Sequence, residues 1–160
     1  MGYKNSSLLS AMNLLRLALG LVIIGFFLPI GCKSNGVDIA NGILGKSGLI
    51  SNTTFMRVVD DIYGYLLFGV IILVVAALVI TFLSKLDNNF LIASILMGAS
   101  LGIIIFLLIT FDIEFNFKKF IFTYKGFGKI NFLPGFYLMF AGYALGIVTF
   151  ILKSAVKKLD

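Results

Sequence analysis

IYGYLLFGVIILVVAALVITFL, residues 62–83, carries no charged side chain from end to end. About 20 consecutive apolar residues are enough for a helix to cross roughly 30 Å of hydrocarbon. An uncharged run of this length therefore reads as a membrane span rather than a buried soluble helix. The next apolar run, FLIASILMGASLGIIIFLLITF at residues 90–111, meets the same criterion. Working outward, two further segments qualify, residues 8–30 and 135–152. The last begins just after Pro134, whose missing N–H costs nothing at a helix start, and is followed by Lys153, Lys157 and Lys158, which suit the negative pole of a helix end. The first is interrupted by Asn13 and Arg16.

Composition points the same way. The chain has 160 residues, 60% hydrophobic and 12% charged, with a mean hydropathy of +1.09. Soluble domains carry about 25% charged residues, and a particle of this size has too much surface to hide the excess of apolar side chains. The expected fold is an all-α membrane protein: a bundle of four transmembrane helices in one integral membrane domain over residues 1–160. Residues 28–32, Leu-Pro-Ile-Gly-Cys, loosely resemble the end of a lipoprotein signal. Three spans downstream favour a retained first span instead.

Four spans put the two longer loops, residues 31–61 and 112–134, on one face, and both termini with the 84–89 turn on the other. The loop face carries Lys33, Lys46, Arg57, Lys118, Lys119, Lys125 and Lys129; the terminal face carries Lys4, Lys85, Lys153, Lys157 and Lys158 in far fewer residues. By density the positive-inside rule sets the termini in the cytoplasm. Richness in Phe, Ile, Lys and Asn suggests an AT-rich bacterial genome, hence a bacterial inner membrane. The layout resembles that of claudins and other tetraspan proteins, although the claudin loop motif of Trp and paired Cys is absent and only the arrangement is shared.

The loops differ in character. Val37, Ile39 and Ile43 around Asp38 and Asn41 read as a short strand or turn. In the second loop Phe115, Phe117, Phe120, Phe122 and Tyr124 interleave with Lys118, Lys119, Lys125 and Lys129. Period-two alternation over 120–124, a glycine-containing turn at 125–129 and a return over 130–133 predict a β-hairpin, and so a partly β cap on one side of the bundle. Aromatic residues mixed with lysines suit a lipid interface or a docked partner; nucleic acid is not expected beside a bilayer. Asp60 and Asp61 read as caps of the second span, and with Asp112 and Glu114 they stand on the loop face.

Few chemistries remain. There is no His, no Trp and a single Cys, Cys32, which excludes His-ligated metals, His general bases and an intrachain disulfide. The GKS at 45–47 lacks the first glycine of a phosphate-binding loop. No catalytic residue, metal site or cofactor is expected. Inside the spans the polar residues that stand out are Asn13 and Arg16; a proton relay would need carboxylates or His there. Ser94, Gly98 and Gly102 in the third span and Gly142 and Gly146 in the fourth form small-residue stripes that predict contact between these two helices. The function expected is that of a non-enzymatic accessory or interaction subunit of a membrane assembly, partnered by another membrane protein or a second copy. The alternatives are a self-assembling channel or small-solute transporter subunit and, more remotely, a lipid-acting enzyme built on the four loop-side carboxylates.

Overall fold

The computed structural model describes residues 2–30, 34–46, 54–83, 86–110, 113–116, 121–124 and 133–159; within these, side chains are described except at 2–9, 42–43, 45–46, 54–61, 86–87, 113–116, 121–124 and 156–159. Helices α1 (Gly2–Phe27), α3 (Thr54–Ile80), α4 (Leu86–Thr110) and α5 (Pro134–Leu159) are long and apolar enough to cross a membrane. Helix α2 (Gly36–Lys46) is too short to do so. The apolar windows, 10–27, 62–80, 88–110 and 134–155, overlap the four segments expected from length and charge alone.

Helix α1 is the hub. Met12, Leu15, Ala18, Leu19, Val22 and Phe26 lie along one of its faces, fully buried. Those side chains meet α5 most extensively, then α3 and α4, while α3 and α4 pack together as a hairpin. Helices α4 and α5 scarcely touch. At the loop-side end the main chain joins α1 to α5: the Leu133 N–H donates to the Ile30 carbonyl at 2.7 Å and the Gly135 N–H to the Pro29 carbonyl at 3.1 Å. The free first-turn donors of α5 thus find acceptors just beyond the end of α1.

Residues 36–46 are a helix, not the strand or turn expected from Val37 and Ile39. A reciprocal cap decides it. The Asp38 N–H donates to Asn35 Oδ1 at 2.8 Å and the Asn35 N–H to the Asp38 carboxylate at 3.3 Å, so two otherwise orphaned donors are satisfied at the helix start. The helix lies against α3 and the end of α1. A β-carbon built on Gly64 would stand 2.6 Å from Leu44 Cγ, and one on Gly36 would stand 2.6 Å from the Phe26 ring. Both contacts need glycine. Asn35→Ala is expected to cost about 1 kcal/mol, visible as faster amide hydrogen exchange across α2 with little change in the spans.

The second loop also differs from expectation. Strands β1 (Ile113–Asn116) and β2 (Ile121–Tyr124) pair antiparallel, Ile113 opposite Tyr124 and Asn116 opposite Ile121. The connection is therefore residues 117–120, not the glycine-containing 125–129 segment. A partly β cap over the bundle is not supported: among the described residues this ladder meets no helix except α4. The fold class is all-α.

Candidate functional site

Glycine positions show which helices approach and which do not. Gly25 of α1 faces Gly135 of α5: a β-carbon on Gly25 would lie 2.6 Å from the Gly135 carbonyl oxygen, and one on Gly135 would lie 2.7 Å from the Gly25 carbonyl oxygen. One on Gly142 would lie 2.7 Å from the Ala18 carbonyl oxygen and from Val22 Cγ2. Ala18 and Gly25 on one helix match Gly142 and Gly135 on the other at the same separation and in opposite order, as antiparallel helices with a heptad-like repeat require. Gly142 thus serves contact with α1, and not with α4 as the stripe suggested. Gly146 does face α4, through the tip of Met97.

The α4 stripe is left open. Around Gly98 and Gly102 nothing comes within 4 Å of a built β-carbon, and both glycines are exposed. The half-buried Ser94 donates its hydroxyl to the Phe90 carbonyl of its own helix at 2.8 Å. Between α4 and α5 runs a cleft of about 240 Å³. Ser94, Gly98 and Leu101 line one side, Gly146, Ile147 and Phe150 the other, and Leu15, Met97 and Tyr143 close the bottom. One polar link crosses below it, a 3.0 Å hydrogen bond between Tyr143 and Ser100. Ser100 Oγ already donates to the Met97 carbonyl at 2.8 Å, so its one proton is used and the Tyr143 hydroxyl is the donor. Both polar groups are satisfied, and the wall of the cleft is apolar.

Arg16 has a destination that its sequence position did not disclose. It is half-buried beside the C-terminal end of α3, with its guanidinium donating to the Thr81 carbonyl at 2.6 Å, to Thr81 Oγ1 at 3.3 Å and to Asn13 Oδ1 at 3.0 Å. Thr81 is fully buried and donates its own hydroxyl to the Leu78 carbonyl at 2.6 Å. The guanidinium carbon also stands 4.5 Å from the centre of the Phe82 ring. A cation at this position meets the negative pole of α3 and a carbonyl left without an intrahelical donor. Asn13 serves as an acceptor for Arg16, so the two intramembrane polar residues form one cluster.

The two ends of the bundle are unequally described. Phe117, Lys118, Lys119, Phe120, Lys125 and Lys129 lie outside the described residues, as does Asp112; for Phe115, Phe122 and Tyr124 in the strands, and for Asp60, Asp61 and Glu114, the backbone alone is described. Among the described residues no group of three or more His, Cys, Asp or Glu side chains could hold a metal ion. The chain matches no family model, no curated protein and no solved structure.

Proposed function

We propose that this small polytopic membrane protein is a non-enzymatic interaction subunit of a membrane assembly, and that the outward face of α4 receives a helix of a partner or of a second copy. The observation that carries the reading is a continuous exposed seam. Leu91, Ile95, Gly98, Gly102, Ile105 and Ile109 follow one another at alternating steps of four and three residues, the spacing that keeps one face of a helix against a neighbouring helix. The four large side chains are between 46% and 72% exposed, and the two glycines sit together at the middle. Lipid tails do not require glycine on a lipid-facing helix. A second helix does, because association in a bilayer depends on close backbone approach and dispersion contacts.

The polar residues of the spans support this reading over a channel built between protomers. Arg16, Ser94, Ser100, Thr110 and Thr149 each donate to an oxygen of their own chain. The aromatic and basic second loop is a further contact surface in this reading, with its lysines at headgroup level. Lysine density supports cytoplasmic termini, and composition supports a bacterial inner membrane.

The test is the mass of the assembly extracted from its own membrane in a mild detergent, before and after Gly102→Leu. A stoichiometric second polypeptide or a second copy is expected with the natural chain. The variant should lose it at least tenfold, about 1.4 kcal/mol, with an unchanged melting temperature. A monomer that yields no cross-linked partner within the membrane, or a variant that keeps its partner, overturns the proposal.

A further inference from the structure

Arg16 spends only part of its hydrogen-bonding capacity within the chain. A guanidinium has five N–H donors. The Nε N–H goes to Thr81 Oγ1, one N–H of Nη2 to the Thr81 carbonyl and one of Nη1 to Asn13 Oδ1, which leaves one N–H on each terminal nitrogen. All three acceptors are neutral oxygens, and among the described residues no carboxylate is bonded to the guanidinium. The negative pole of α3 amounts to about half an elementary charge, so roughly half of the cation's charge has no counterpart within the fold. The exposed Asn13 gives its amide oxygen to Arg16 and keeps both N–H donors of the same amide. The depth is that of lipid headgroups. Thr81 comes immediately after the apolar window 62–80, at the terminal-side edge of the hydrocarbon, and Asn13 lies almost one helical turn nearer the termini than Arg16. Phe82, whose ring lies against the guanidinium, is 67% exposed.

We propose that Arg16 and Asn13 bind the phosphate of an anionic phospholipid in the leaflet on the terminal side. The remaining N–H groups of Nη1 and Nη2 donate to phosphate oxygens in charge-assisted hydrogen bonds, with the Asn13 amide as a third donor. Water would satisfy the same N–H groups but bring no charge, and at the edge of the hydrocarbon an uncompensated charge is the costly item. Phosphatidylcholine carries an ammonium of its own beside its phosphate; phosphatidylglycerol does not. A free phosphate ion has the same chemistry but must leave bulk water to reach this depth, where lipid phosphate already stands. The site is separate from the α4 surface: Asn13, Arg16, Thr81 and Phe82 neither belong to the seam nor line the cleft between α4 and α5.

Asn13→Asp is the discriminating change, because it leaves Arg16 at the end of α3. It alters an exposed side chain almost isosterically and puts a carboxylate where the amide oxygen stands 3.0 Å from Nη1, so the chain supplies its own counter-anion and repels phosphate. Ser154→Asp makes the same change in net charge at an exposed position of α5 on the same side of the bundle. The delipidated full chain in a non-ionic detergent is given equal amounts of phosphatidylglycerol and phosphatidylcholine, and native mass spectrometry reads the ratio of the two bound forms. Asn13→Asp should lower that ratio about fivefold, the factor that one cation near an anionic headgroup supplies, and should melt no lower than the natural chain. Ser154→Asp should leave the ratio unchanged, and excess inorganic phosphate should not displace the lipid. An unchanged ratio in Asn13→Asp overturns the proposal. So does an equal fall in Ser154→Asp, which would mean diffuse attraction by the lysines of that side. Displacement by inorganic phosphate would make the soluble ion the occupant and overturn the lipid reading; a lower melting temperature for Asn13→Asp would mean that Arg16 does not accept an anion there, and overturns it too. Because the readout is bound lipid and Gly102→Leu tests bound protein on the α4 seam, either proposal can fail without the other.

Discussion

Arg16→Ala is expected to destabilise the bundle by about 2 kcal/mol, in the range for hydrogen bonds to a charged donor. In the folded chain the guanidinium satisfies the Thr81 carbonyl at 2.6 Å, a terminal acceptor of α3 that the helix cannot satisfy itself. Alanine leaves that acceptor and Thr81 Oγ1 without their donor and removes the positive charge from the negative pole of the helix. It also removes the cation from the Phe82 ring, a contact worth about 0.5–1 kcal/mol at a partly exposed site. Arg16→Lys separates these effects. An ammonium restores the charge but cannot present several donors in a fixed fork, so lysine should recover part of the stability and stop short of the natural chain. Unfolding in mixed micelles by rising SDS fraction, followed by circular dichroism, gives the comparison. If Arg16 merely reached outward to lipid phosphate, lysine would serve as well as arginine and alanine would cost little; that result would refute the helix-end role.

Arg16 also shows what a sequence can and cannot disclose. An arginine inside an apolar segment is conspicuous, because burying an ionised group without a partner is costly. Its partner is a main-chain carbonyl at the end of a helix 65 residues away, and no side-chain pattern names such a group. The spans were legible for the opposite reason. In a bilayer, uninterrupted apolar length is the property that determines insertion, and residues 62–83 and 90–111 display it directly. Helix α2 was misread because Val37 and Ile39 alternate over a short stretch. The informative signals were Asn35 and Asp38 at capping-box spacing, and Val37, Ala40 and Leu44 on one helical face. The second-loop pairing was misread because a glycine pair was taken as the turn, although the β-branched and aromatic residues of 113–116 lay just upstream of 121–124.

Replacing Gly142, Gly135 or Gly25 by alanine is expected to cost about 3 kcal/mol each, at the upper end of the overpacking range. What the new methyl would meet decides the size of the effect. At each of the three positions the nearest obstacle includes a main-chain oxygen of the opposite helix, 2.6–2.7 Å from the built β-carbon. A carbonyl oxygen cannot swing aside as a side chain can, so α1 and α5 must separate along the most extensive contact in the bundle. Gly146→Ala should be milder, because its obstacle is the flexible end of Met97. Gly98→Ala and Gly102→Ala should leave the stability of the monomer unchanged or slightly raised, since nothing stands within 4 Å and alanine is the better helix former. The same chemical change therefore sorts the four glycines of two apparently equivalent stripes, together with Gly25 and Gly135, into three classes. Thermal unfolding of the six variants in one detergent measures the order. Equal losses at Gly98 and Gly142 would mean that α4 packs within the chain as tightly as α5 does, and would remove the open face on which the interaction proposal rests. The predicted order, joined with weakened association for Gly98→Ala and Gly102→Ala, would identify glycine on α4 as serving a neighbour outside the chain, and glycine on α5 as serving chiefly α1.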